Sequence, residues 1–147
     1  MVEDFNNDLL NSNKNIKINV NQTNLNGSKL HVLGVESKLE QIIANILDNA
    51  VSFSPSNSQI SILCNIKKNE VQLIFEDEGP GFDKNNINKV FNRFYSNRPE
   101  KFGEHSGLGL NIVKNIIELH SGSIKASNRV GNKRGARIEV LLPIHVN

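Results

Sequence analysis

The stretch Leu39-LEQIIANILDNAVSFSP-Pro55 decides how this chain is read. Leu39, Ile42, Ile43, Ile46, Leu47, Ala50 and Phe53 recur at helical spacing and make one apolar face. Ser37 followed by Glu40 has the form of a capping box, so the spacing predicts a helix from there to about Ser52. Yet Asn45, Asp48 and Asn49 interrupt it, and asparagine is a poor helix former that is costly to bury without partners. Asn45 and Asn49 are four residues apart and stack on one face, about 6 Å apart along the axis. Ser52 extends that stripe. Amide oxygens of this kind suit a hard cation such as Mg²⁺ beside phosphates. A polar helix edge bonded to neighbouring loops explains the same stretch equally well.

Downstream, QISILCNIKK and EVQLIFED read as two strands around a turn at Lys68–Asn69. The second strand delivers Asp77 directly into Gly79-Pro80-Gly81. An ionised carboxylate only accepts hydrogen bonds. In a pocket it favours adenine, whose exocyclic amine donates, over guanine, whose oxygen there repels it. The glycines allow a flat base to approach the backbone closely. Asp-x-Gly-Pro-Gly is also a good turn sequence in its own right. From Asp83 to Gly107 the chain is polar, with Phe91, Phe94 and Tyr95 among Arg93, Arg98 and Lys101; long connections are usually functional or disordered. SGLGL from Ser106 then heads a strongly periodic helix closed by Gly122, whose exposed first N–H groups favour an anion. SIKASN and ARIEVLLP complete the strands. Upstream, IKINVN from Ile16 alternates as a strand, and KLHVLG from Lys29 reads as another. Residues 1–15 read as a linker or tail. Irregular alternation with adjacent antiparallel pairs predicts a sheet covered on one face by helices, an α/β sandwich.

The bulk properties bound the reading. A chain of 147 residues, 37% hydrophobic and 22% charged, fits one soluble domain. Its net charge of +2 is too small to argue for nucleic acid. Basic residues gather at Arg93–Lys101 and Lys125–Arg137, where solvated surface and phosphate contact are the two alternatives. The single cysteine, Cys64, lies in an apolar run and reads as a small packed hydrophobe. No apolar run approaches membrane-spanning length, and the Asn-rich, acidic N-terminus is unlike a signal peptide. Such a chain is expected to be cytoplasmic, and it reads as a possible piece of something larger.

In order, these motifs resemble the ATP-binding catalytic domain of bacterial sensor histidine kinases, within the superfamily that includes gyrase, Hsp90 and MutL. NILDNA looks like the N box, DEGPG the first glycine box, VFNRFY the F box, GLGL the second glycine box and GNKRGA the last. SFSP and FYSNRPE resemble most closely the ChvG/ExoS type of alphaproteobacterial envelope sensor kinase.

The resemblance implies a Bergerat-type (GHKL) two-layer α/β sandwich, with a mixed, mostly antiparallel sheet over residues 16–147. It implies Mg²⁺-ATP held beneath a lid at about residues 83–107. Asn45 and Asn49 would lie at the metal and phosphates, Asp77 would read the adenine amine, Gly79 and Gly81 would shape the base pocket, and Gly135 in the last glycine box would also bind the nucleotide. Gly107, Leu108 and Gly109 would present the phosphate-side N–H groups, with Leu110 also at the nucleotide. Phe91, Phe94 and Tyr95 would anchor the lid, with Arg93 and Arg98 near phosphate charge. The implied partners are a helical dimerisation and phosphoacceptor hairpin and a response regulator, with no nucleic acid and no direct membrane contact, in a parent anchored in the inner membrane.

Two positions depart from the family pattern. Ser52 stands where a basic residue is frequent, and Ala136 where a threonine is usual. The hydrolysing relatives generally carry a glutamate at the position of Asn45. An amide cannot take a proton at neutral pH, so that general base is missing. None of His31, His105, His120 and His145 begins a His-Glu or His-Asp helix. A stand-alone ATPase or serine kinase, and a degenerate interaction module, are the competing readings.

Overall fold

A computed structural model describes residues 15–22, 36–92 and 109–144. Among them run β1 (Lys17–Gln22), α1 (Glu36–Phe53), β2 (Gln59–Lys67), β3 (Glu70–Glu76), a short 3₁₀ turn (Ile87–Lys89), α2 (Gly109–Leu119), β4 (Ser123–Asn128) and β5 (Ala136–Pro143). The strands form one sheet in the order β1-β2-β3-β5-β4, with β1 parallel to β2 and the other described pairs antiparallel. The sheet is therefore mixed and mostly antiparallel. The expected strand at KLHVLG lies outside the described residues.

The alternation of each strand selects the buried face. Ile62, Phe75 and Ile138 lie on one rung, and Leu73, Val140 and Ile124 on another. All belong to or pack against one core with Ile42, Ile46 and Leu47 of α1 and Val113, Ile116 and Ile117 of α2. Leu47, Ile117, Val113 and Val140 are fully buried. Truncating such a residue to alanine costs about 2–5 kcal/mol. On the opposite face polar pairs dominate: Lys125 opposes Glu139, and Arg137 bonds Glu76 at 3.4 Å.

The two helices end for different reasons. Pro55 cannot continue α1, and the Ser54 hydroxyl donates to the Ala50 carbonyl at 2.7 Å. At its start α1 takes in Glu36, so Ser37 lies inside the first turn rather than capping it. In α2 the expected closing glycine has another task. Ser121 takes the left-handed position (φ 62°), its N–H donates to Glu118 O, and the Gly122 N–H donates to Ile117 O at 2.9 Å. That is a Schellman closure with serine at the position usually held by glycine. Gly122 is needed for space, because a Cβ there would strike the Leu141 carbonyl and the Leu142 side chain. The hairpin between β2 and β3 turns at Lys68 (φ 58°), as the sequence predicts.

Candidate nucleotide site

Asp77 follows the end of β3 and is buried, with 4% of its surface exposed. Its Oδ1 accepts from the Gly79 N–H at 2.9 Å and from the Ala136 N–H at 3.1 Å. Its own N–H donates to the Ala136 carbonyl at 3.2 Å. Burial pushes its carboxyl above the usual carboxylate range. The two backbone N–H groups and the Arg129 guanidinium pull it back, and Glu76 adds to the rise. A turn explains the Gly79 contact, but not a carboxylate buried and bonded across to another strand.

The glycines around it are sterically required. A Cβ on Gly79 would lie 2.6 Å from the Phe53 carbonyl oxygen, and one on Gly81 (φ 80°) 2.6 Å from Asn128 Oδ1. On Gly135 (φ 138°) it would collide with the Asp77 carbonyl oxygen. Asp77, the Gly79–Gly81 loop and the β4–β5 connection thus meet with no room for side chains.

The Phe53 contact also orients α1. Its last turn abuts the Gly79 loop, and Asn49 and Asn45 lie one and two turns back, about 6 and 12 Å along the axis. Both are half-buried, whereas Asp48 between them faces solvent. Asn49 also has a partner within the fold. The Ser52 hydroxyl is turned onto its own helix and donates to the Asp48 carbonyl at 2.8 Å. Gly109, at the head of α2, is exposed, and a Cβ there would meet nothing within 4 Å among the described residues. Leu110 is buried in the core. The Asn111 amide donates to the Phe91 carbonyl at 3.0 Å, tying α2 to the segment before residue 93. Phe91 itself packs against the core.

Arg93, Phe94, Tyr95, Arg98, Lys101, Gly107 and Leu108, with His31, His105 and His145, lie outside the described residues. Within the second basic cluster, Arg129 and Arg137 are taken up by Glu76, at 3.9 and 3.4 Å. Arg129 also reaches the Arg134 carbonyl at 3.3 Å, while Lys125, Lys133 and Arg134 are exposed. Cys64 is half-buried and burial raises its thiol pKa, as suits a packed residue. His120 bonds the Ile116 carbonyl through Nδ1 at 2.8 Å.

Sequence reasoning missed Asn128. Its Oδ1 accepts from the Phe82 N–H at 2.7 Å and its Nδ2 donates to the Phe82 carbonyl at 3.0 Å. The available signal was parity: Asn128 continues the inward series Ile124, Ala126, where a polar residue needs a partner. Ala136, which stands where a threonine is usual, holds Asp77 through its main-chain N–H.

Residues 34–146 match the family model described as histidine kinase-, DNA gyrase B-, and HSP90-like ATPase, and the chain belongs to that family. It is a catalytic ATP-binding domain homologous to those of sensor histidine kinases. Sensor protein ChvG of Rhizobium meliloti is 40% identical over 118 residues, covering 76% of this chain and 20% of the relative. Sensor protein kinase PmrB of Pseudomonas aeruginosa is 34% identical over 122 residues, covering 83% and 25%. The chain thus spans about a fifth to a quarter of these curated relatives. Among solved structures, the mycobacterial sensor histidine kinase MprB superposes with a TM-score of 0.78 at 28% identity, covering 97% of this chain and 92% of that one. The catalytic domain of histidine kinase ThkA, at 24% identity, shares the fold with a TM-score of 0.80, covering 97% and 87%. None of the described helices is long and apolar enough to cross a membrane.

Proposed function

We propose that this domain holds Mg²⁺-ATP for a sensor histidine kinase and presents the γ-phosphoryl to a histidine on a separate helical hairpin. The observation that carries the reading is the buried Asp77 carboxylate, held through Oδ1 by two backbone N–H groups beside a glycine loop that excludes side chains. It supports an adenine site in which the carboxylate accepts from the exocyclic amine, with the backbone of Gly79, Gly81 and Gly135 packed close beside it. One solved structure that contains this fold, full-length ShkA, is a complex with AMPPNP.

From that base, a triphosphate extending back along α1 passes Asn49 and then Asn45. Among the described residues no three His, Cys, Asp or Glu side chains cluster to hold a metal. The fitting donors are the two amide oxygens together with phosphate oxygens, which suits Mg²⁺, a hard ion that keeps several waters. Bound there, Mg²⁺ would neutralise phosphate charge. Asn45 accepts no proton at neutral pH, so that position supplies no base to activate water. A pocket that keeps ATP intact suits a phosphodonor awaiting its acceptor, with rate coming from positioning. Lid closure over residues 83–107, with Phe91, Phe94 and Tyr95 as anchors and Arg93 and Arg98 near phosphate, completes the reading. In the longer protein the partners are the phosphoacceptor hairpin and a response regulator, and the parent is anchored in the inner membrane with this domain in the cytoplasm.

Calorimetry with a non-hydrolysable ATP analogue, with and without Mg²⁺, tests the site. Incubation with radiolabelled ATP tests the chemistry: slow hydrolysis and no phosphohistidine on this chain alone are expected, with transfer once a cognate hairpin is supplied. Phosphohistidine on the isolated chain would contradict the division of labour.

A further inference from the structure

One rung of the sheet, Asn128 opposite Ala136, grips both ends of the Asp77–Phe82 stretch. From β5, the Ala136 main chain holds Asp77 through two hydrogen bonds, at 3.1 and 3.2 Å. From β4, the Asn128 carboxamide pairs with both polar groups of the Phe82 backbone, at 2.7 and 3.0 Å. Gly81 is pressed against Asn128 Oδ1, with no space for a Cβ. We infer that Asn128 is a positioning residue for base selection: it holds the Gly79–Phe82 loop at a set distance from the Asp77 carboxylate, so that an aminopurine fits and a purine without the amine gains nothing.

The chemistry demands a carboxamide. Phe82 offers one donor and one acceptor, and an amide satisfies both at once; a carboxylate at position 128 keeps the acceptor and loses the donor. Hydrogen bonds weaken steeply as distance and angle degrade, so a base held slackly in the loop forfeits much of its bond to Asp77. Asn128 itself need not touch the ligand. This inference rests on the adenine reading of Asp77.

The test uses ATP and purine riboside triphosphate, which lacks only the 6-amine, titrated into the native chain, Asn128→Ala and Asn128→Asp, with urea unfolding of each. The native chain should prefer ATP by about tenfold or more, the worth of one hydrogen bond to a charged group. In Asn128→Ala that preference should fall to about threefold or less, with Asn128→Asp between. Should Asn128→Ala fail to unfold cooperatively, Asn128→Asp decides. An undiminished preference in a folded variant, or equal weakening of both nucleotides, overturns the inference. A native chain that binds both triphosphates equally would instead overturn the adenine reading of Asp77.

Discussion

The two ends of the candidate site are built in opposite ways. At the base end, Asp77, Gly79, Gly81 and Gly135 meet in close contact, and every glycine there has backbone or a side chain where a Cβ would sit. At the proposed phosphate end, Asn45 and Asn49 are half-buried on a helix flank, and a Cβ on Gly109 would meet nothing within 4 Å among the described residues. The base end is assembled from strand termini that the sheet register already holds, so its geometry comes with the fold. The proposed phosphate end lies instead on helix surfaces. The two proposed ends thus meet on α1, whose last turn abuts the Gly79 loop and whose flank carries Asn49 and Asn45.

Substitutions can break that contrast, beginning with the most damaging. Gly135→Ala forces a Cβ into the Asp77 carbonyl at a φ of 138°. It should cost about 3 kcal/mol or more by urea unfolding, given strain of about 1–3 kcal/mol plus the clash; a loss below 1 kcal/mol would mean the base end is as pliable as the phosphate end. Asp77→Asn keeps an acceptor for the two N–H groups but turns an amide donor toward the adenine amine. ATP affinity should fall about 30- to 100-fold, or about 2–3 kcal/mol.

The same variant reports on pH. Because the folded-state pKa of Asp77 is raised, its contribution to stability is fully present below the ordinary carboxylate range. That contribution is lost as pH rises from about 4 through the folded value. Stability of Asp77→Asn relative to the native chain should therefore increase over that window, read by urea unfolding at successive pH values. A flat or falling difference would show that the backbone N–H groups outweigh burial.

At the other end, Asn49→Leu should change stability by less than about 1.5 kcal/mol, as an apolar swap at a half-buried edge, and weaken Mg²⁺-dependent nucleotide binding about tenfold. Loss of the fold would mark Asn49 as a structural amide. The smallest effect belongs to Gly109→Ala. Stability should rise by up to about 0.5 kcal/mol from better helix propensity; a simultaneous fall in ATP affinity would show that ligand fills the space beside it.

Much of this arrangement is legible in the sequence because it rests on local rules. The apolar stripe of α1, the alternation of β2 and β3, and the strand-to-glycine break at Asp77 each follow from spacing. Ser121 takes the left-handed closure expected of Gly122, whereas the strand packed beneath Gly122 is invisible to a local reading. Asn128 escaped notice for a related reason. An asparagine at a strand end reads as the start of a turn, and only the register that sets it opposite Ala136 reveals that its amide clasps Phe82, 46 residues away. Arg129 and Arg137 likewise read as free charge until β3 brings Glu76 beside them.

By itself, the order of residues determined the family, the layered α/β plan and the identity of the carboxylate and amides at issue, since helix and strand periods and motif spacing are properties of neighbouring residues. Only the tertiary structure decided which groups hold that carboxylate, which glycines have no room to change and which cations are already spent. Those depend on contacts between segments distant in the chain, set by sheet register and packing rather than by spacing.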